Sequence, residues 1–172
     1  PYEGRFRLQM PGMATPADLR VISLHAKSGS SAADWAERRN DFLQLKAYLD
    51  AAANNSARYI VMGDYNDRIT TSITSGQESS FKMFHDDAAN YRVITRNLDS
   101  LGFQSQDFSA TSMIDHIVVS NELFANVVPG TSRVAAPQIF IPSYNATTSD
   151  HWPVFARFDF TGATPADAPL AT

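Results

Sequence analysis

Phe6, Leu8 and Met10 alternate with polar neighbours along residues 5–10, the period-two pattern of an antiparallel strand. Val21-Ile22-Ser23-Leu24-His25 is a clearer strand, followed by a loop at residues 26–29. Ser30 or Ser31 can then cap a helix with Asp34 in its first turn, and Trp35, Phe42, Leu45 and Leu49 recur at helical spacing as far as Ala53. Asn54-Asn55-Ser56 breaks that helix, and Tyr59-Ile60-Val61-Met62 is the continuous apolar run of a buried strand, ending at Gly63-Asp64. A strand, helix, strand unit crosses over right-handed and leaves its strands parallel. His25 and Asp64 are therefore expected at neighbouring C-terminal strand ends, the edge where open α/β sheets place ligands.

Residues 68–80 are polar and aperiodic and predict a surface loop. A second helix is expected from a cap at Asp86 or Asp87, with Tyr91, Ile94, Leu98 and Leu101 on one face and Gly102 as its stop. Residues 114–120 and 154–160 read as two more strands. From Thr161 the chain is poor in bulky residues, so 161–172 is expected to be a flexible tail or linker after one domain at 1–160. The fold class expected is α/β.

A chain of 172 residues, 44% apolar and 19% charged, has the composition of a folded globular domain and excludes a disordered or fibrous one. No apolar run approaches the roughly 20 residues of a bilayer-spanning helix. The absence of Cys rules out disulfides and thiolate metal sites and leaves the compartment undetermined. The start, Pro1-Tyr2-Glu3-Gly4-Arg5, has neither an initiator Met nor a signal-peptide pattern, so it is expected to be a processing point, an expression boundary or a break in a longer polypeptide. A net charge of −4 argues against a binder that relies on many Lys and Arg contacts to phosphates. It leaves room for a nuclease, because a bound divalent cation can neutralise phosphate in their place.

Four clusters carry the chemistry: Leu24-His25, Gly63-Asp64-Tyr65-Asn66-Asp67, Ile114-Asp115-His116-Ile117 and Ser149-Asp150-His151-Trp152-Pro153-Val154. Each puts a polar group at the end of an apolar strand. In extended chain Asp64 and Asn66 share a face and Tyr65 points away, and a carboxylate beside an amide suits a hard cation and a phosphate oxygen. Asp115 interrupts an apolar strand and needs a partner, for which His151 is the candidate. Such a pair raises the basicity of the imidazole, as a water-activating base requires, while His25 could protonate a leaving oxygen or stabilise charge on phosphate.

In this order and context the four motifs resemble those of the endonuclease/exonuclease/phosphatase superfamily, over residues 21–160. The resemblance implies a deoxyribonuclease I-like, four-layer α/β/β/α sandwich with a mixed β-sheet. It implies hydrolysis of phosphodiesters or phosphomonoesters with Mg²⁺, or with Mn²⁺ or Ca²⁺ in its place. Asp64 and Asn66 match residues that contact the scissile phosphate and the attacking water, and with Asp150, a metal-associated carboxylate, they form the implied metal set. His151 matches the histidine that activates water, Asp115 the residue that orients it, and His25 a second histidine of the branch resembling pancreatic deoxyribonuclease and bacterial sphingomyelinases.

The family's upstream strands, with an Asn and the Glu that is the principal metal ligand, have no counterpart, since Glu3, Glu37, Glu78 and Glu122 lie outside the expected pattern. The chain thus resembles the C-terminal half of such a domain, with the N-terminal half and a nucleic acid or other phosphoester substrate as expected partners. A nuclease for DNA or RNA is the leading reading. A phosphatase or sphingomyelinase-like phospholipase on the same fold is the alternative, as is an inactive fragment or binding module. The Trp-Cys-Asp-Arg motif of inositol-phosphate phosphatases is absent, and Phe140 and Tyr144 are the only candidates for a membrane-contacting hairpin. The remaining polar residues are read blandly: His116 as packed on the opposite face, His85 as solvated, Arg38 and Arg39 as exposed, Asp67 as a turn cap, Trp35 and Trp152 as core.

Overall fold

The computed structural model describes residues 1–106 and 112–161. Two strands open the chain, β1 (Tyr2–Leu8) and β2 (Ala17–His25), paired antiparallel. Helix α1 (Ala32–Asp50) follows, and its start is set by a capping box: the Ser31 hydroxyl accepts from the Asp34 N–H, and Asp34 accepts from the Ser31 N–H. Phe42, Leu45 and Leu49 form its buried stripe as the spacing predicts, and the helix ends at Asp50, short of Ala53. β3 (Arg58–Asp64) lies parallel to β2 across this crossover, as expected.

After the loop at 68–80 come α2 (Lys82–Asp86), β4 (Tyr91–Val93), α3 (Arg96–Ser100) and β5 (Asp115–Ser120). β5 pairs antiparallel with β3 on one side and β4 on the other, giving a mixed sheet ordered β1-β2-β3-β5-β4. β6 (Arg133–Val134), α4 (Tyr144–Thr147) and β7 (Val154–Phe155) complete the described elements, with β6 and β7 forming a separate two-stranded ribbon.

The second helix differs from the sequence expectation. Tyr91 and Val93 are buried on either side of exposed Arg92, a period of two, and pair with Ser120 and Val118. An edge place beside β5 outweighs helical propensity at these residues. Helix begins only at Arg96, Leu101 is exposed rather than on a buried face, and Gly102, at φ 79°, is the stop expected of it. The strand expected at 154–160 is regular only at Val154 and Phe155, with one further bridge between Val127 and Phe158. The tail expected at 161–172 falls, from residue 162 on, outside the described residues.

The two faces of the sheet are covered unequally. Under α1, Ile22, Leu24, Tyr59, Val61 and Val118 pack with Phe42, Leu45, Leu49, Tyr65, Phe81 and Phe84 into the main core. Each such apolar side chain contributes on the order of 1.5–3 kcal/mol by burial. On the opposite face Ile117, Val119 and Leu123 pack against Val127, Val154, Phe158 and Phe160, while Phe6 and Met62 stay exposed. His116 points into the main core, as its alternation with Asp115 predicts.

Candidate functional site

His25 is the register partner of Asp64, and Asp64 of Asp115. Directly opposed residues present their side chains on the same face, so adjacent ends of β2, β3 and β5 set these three in one row, on the face away from α1. Close approach of β2 and β3 here depends on Gly63: a Cβ at that position would lie 2.1 Å from the Leu24 carbonyl oxygen, and its φ is 137°. His25 Nε2 stands 3.4 Å from Asp64 Oδ2. Asp64 and Asp115 are sheltered, with side chains 14% and 17% exposed, whereas His25 is 75% exposed and leans in from solvent.

His151 closes the row from the other end of the chain. Its Nδ1 is 2.8 Å from Asp115 Oδ2, and its Nε2 is 3.8 Å from Asp64 Oδ2. Ser105 holds this arrangement together: its carbonyl accepts from the Trp152 N–H, and its hydroxyl accepts from the N–H groups of Ile114 and Asp115. A bridge between Gln106 and His151 adds to the tie. Asp115 at Nδ1 fixes the tautomer in which neutral His151 carries its proton on Nδ1, leaving Nε2 free to accept one.

Burial opposes charge on the His151 ring, but the bond to Asp115 and the nearby charges of Asp115, Asp64 and Asp150 overcome it and hold the imidazole above its ordinary value. Burial also dominates at both carboxyls. It raises Asp64, with the Asn66 N–H opposing and the Asp115 charge adding, and it raises Asp115 against the bonds from Ser105 and His151.

Asn66 reaches the site by a route the sequence did not show. The chain is not extended there: φ is 48°, in the left-handed region that Asn tolerates. Its N–H donates to Asp64 Oδ1, and its Nδ2 donates to Asp64 Oδ2 at 3.0 Å and to the Ala26 carbonyl at 2.9 Å. Tyr65 turns away into the core, as expected, and is fully buried.

The family model described as Endonuclease/Exonuclease/phosphatase family matches residues 8–151. The chain belongs to this family. The fold is deoxyribonuclease I-like, as the solved structures similar to it show. The 3′ phosphatase NExo from Neisseria, bound to a product DNA hairpin, is 17% identical, with a TM-score of 0.61, over 91% of this chain and 70% of its own. An AP endonuclease from Archaeoglobus fulgidus is 14% identical, with a TM-score of 0.62, over 90% of this chain and 65% of its own. Humanized D. rerio TDP2 is 16% identical, with a TM-score of 0.60, over 91% of this chain and 60% of its own. No curated protein matches the chain.

A hard cation asks for several convergent oxygen ligands. The family chain supplies part of such a set: Asp64 and Asp115 face one another as repelling carboxyls raised by burial, a wall that bound positive charge would relieve. Among the described residues, however, no three His, Asp or Glu side chains converge closely enough to hold a metal ion. Asp150 is half-buried beside His151 and adds its charge to the imidazole's surroundings. The residues therefore fit one side of a cation site rather than a complete cage.

Other polar residues depart from the sequence reading. Arg38 is wholly buried rather than exposed, and His85 is half-buried within α2, whereas Asp67 does cap the turn after Asn66, accepting from the Arg68 and Ile73 N–H groups, and is fully buried in doing so. Trp35 and Trp152 are only half-buried, with Trp35 Nε1 donating to the Glu78 carbonyl. Ser105 escaped the sequence reading altogether. A lone Ser in a polar stretch carries no signal until the strands it joins are known.

Proposed function

We propose that this chain is the histidine-bearing portion of a metal-dependent phosphodiesterase that hydrolyses DNA or RNA. One observation carries the reading: a half-buried carboxylate 2.8 Å from the Nδ1 of His151, whose Nε2 faces Asp64 across a sheet end shared with His25. Neutral His151 takes a proton from water at Nε2, and Asp115 stabilises the imidazolium that forms. Asn66, its Nδ2 taken up by the Ala26 carbonyl and Asp64, has Oδ1 left to offer as an oxygen ligand, and solvent-facing His25 protonates the leaving oxygen or stabilises charge on the phosphate. Asp64, Asn66 and Asp150 are the residues that would hold Mg²⁺, or Mn²⁺ or Ca²⁺ in its place, which when bound neutralises negative charge on the phosphate.

DNA as substrate is supported by the DNA hairpin product in the Neisseria relative. That relative is described both as a 3′ phosphatase and as a 3′-5′ exonuclease, so a phosphomonoesterase acting through the same residues is the second reading. The chain spans between 54% and 70% of the lengths of NExo, TDP2, the Archaeoglobus enzyme and the APE2 catalytic domain from Xenopus laevis. We place the remaining ligands, and the cover for the half-exposed sheet face, on a further portion of the domain that packs against Phe6 and Met62.

The test is His151→Ala in the complete encoded protein, assayed on DNA, RNA and an aryl phosphodiester. A fall in kcat of about 10²-fold or more, with the folded spectrum retained, is expected. Wild-type turnover by the variant on all three substrates would remove the role given to His151.

A further inference from the structure

Arg38 takes no part in the chemistry above, yet its side chain is 0% exposed and one of the largest fully buried in the molecule. It stands on the second turn of α1, and its guanidinium reaches into the loops that leave β2 and β3. Nη1 donates to the carbonyls of Lys27, at 3.1 Å, and Gly29, at 2.6 Å. Nη2 donates to the Thr74 hydroxyl at 3.3 Å and lies 3.9 Å from Asp67 Oδ2, while Nε is buried without a partner.

Asp67 anchors the second loop. Its Oδ1 accepts from the N–H groups of Arg68 and Ile73, and its Oδ2 from the Ser72 hydroxyl and the Ser80 N–H. Burying a guanidinium costs several kcal/mol unless its donors are met, so a charge placed here locks the groups that meet it. What Arg38 locks is the separation between the two loops.

Asn66 sits across that separation. It adjoins Asp67 on one side, and on the other its Nδ2 donates to the carbonyl of Ala26, the residue before Lys27. A forked, planar guanidinium can satisfy Lys27, Gly29 and Thr74 together only at one spacing of the loops, and at that spacing the Asn66 amide meets both Ala26 and Asp64. We propose that Arg38 is a positioning residue for Asn66: by clamping the loops after β2 and β3, it keeps Nδ2 on Ala26 and Asp64 and so leaves Oδ1 as the atom that Asn66 offers the site. The kinetic consequence rests on the phosphodiesterase reading above. The geometric one does not.

The test is Arg38→Lys in the complete protein, which keeps the charge and loses the fork. Two quantities are read: the side-chain NH₂ resonances of Asn66 with their hydrogen-exchange rates, and the split between kcat and KM on a DNA substrate. Displaced Asn66 resonances, faster exchange, and kcat lowered by about tenfold to 10²-fold with KM within about threefold are expected, since misplacement on the order of 1 Å can cost that much. Thr74→Val removes one acceptor, is milder, and should move the Asn66 signals in the same direction, which keeps the test open should Arg38→Lys fail to fold. A lowered Tm with Asn66 resonances unchanged in every folded variant would reduce Arg38 to a merely structural charge and overturn the proposal. Displaced Asn66 resonances in a protein whose wild type hydrolyses no phosphoester would uphold the clamp and sink the phosphodiesterase reading instead.

Discussion

His116 and His151 lie on neighbouring elements and are held for opposite purposes. His116 Nε2 donates to the Met113 carbonyl at 3.0 Å, so Nδ1 is the acceptor for the Thr95 hydroxyl, whose oxygen in turn accepts from the Ile117 N–H. Phe81 and Tyr65 pack around the ring, and burial pushes its pKa down to about 4, so it stays neutral where His151 is drawn toward charge. The unfolded imidazole titrates near ~6.5. Between that value and about 4 the unfolded chain takes up a proton that the folded chain rejects, so this group's contribution to stability is complete above the unfolded value and is lost as the pH falls. The loss amounts to roughly 3 kcal/mol. Asp64 and Asp115, raised by burial, act in the opposite sense above their ordinary range, so the imidazole must be read by difference. Urea unfolding of wild type and His116→Gln at pH 7 and pH 4.5 should show wild type losing clearly more stability than the variant. Equal losses would mean that the ring is not held neutral.

The start of α1 shows a local signal sufficient in itself. Ser31 and Asp34 bond reciprocally, and that bonding holds the Asp34 carboxyl well below the usual carboxylate range, with Lys27 adding to it. Ser31→Ala should lower stability by about 1 kcal/mol in denaturant unfolding, and an unchanged midpoint would deny the cap. Elements with such local signatures were legible in the sequence: β2, α1 and β3, and with them the shared edge of His25 and Asp64. β4 was not, because Tyr91, Ile94, Leu98 and Leu101 satisfy a helical period by spacing alone, while the strand is decided by pairing with β5. Arg38 was misread for a related reason. A basic residue on a helix faces solvent unless the loops beyond supply carbonyls, and Lys27, Gly29 and Thr74 are joined to it only by tertiary folding. The Asp115–His151 contact was legible in part, since a carboxylate in an apolar strand demands a partner, whereas Ser105, which ties the two segments, had no sequence signature.

Taken as a whole, the molecule carries its site on its less covered face. α1, with Tyr65, Phe81 and Phe84, covers one side of the sheet, so Tyr59 and Val61 are buried, while on the other side Met62 is 39% exposed and Phe6 57% exposed. The β6–β7 ribbon and residues 156–160 join a cluster over Ile117 and Val119 that reaches Ile60 and Leu19 but leaves Met62 and Phe6 open. His25, Asp64 and Asp115 stand at the top of the same face, so whatever covers Phe6 and Met62 also comes next to that row of side chains. Apolar surface of this kind in water attracts other apolar surface. Residues 1–172 alone should therefore bind a hydrophobic reporter dye in the folded state and sediment faster as concentration rises. The double variant Phe6→Lys, Met62→Lys should weaken both effects while changing unfolding free energy by no more than about 1 kcal/mol, since exposed side chains carry little of the stability. A large loss of stability in that variant would show that Phe6 and Met62 are already packed within the chain, and that the site-bearing face is closed without any further cover.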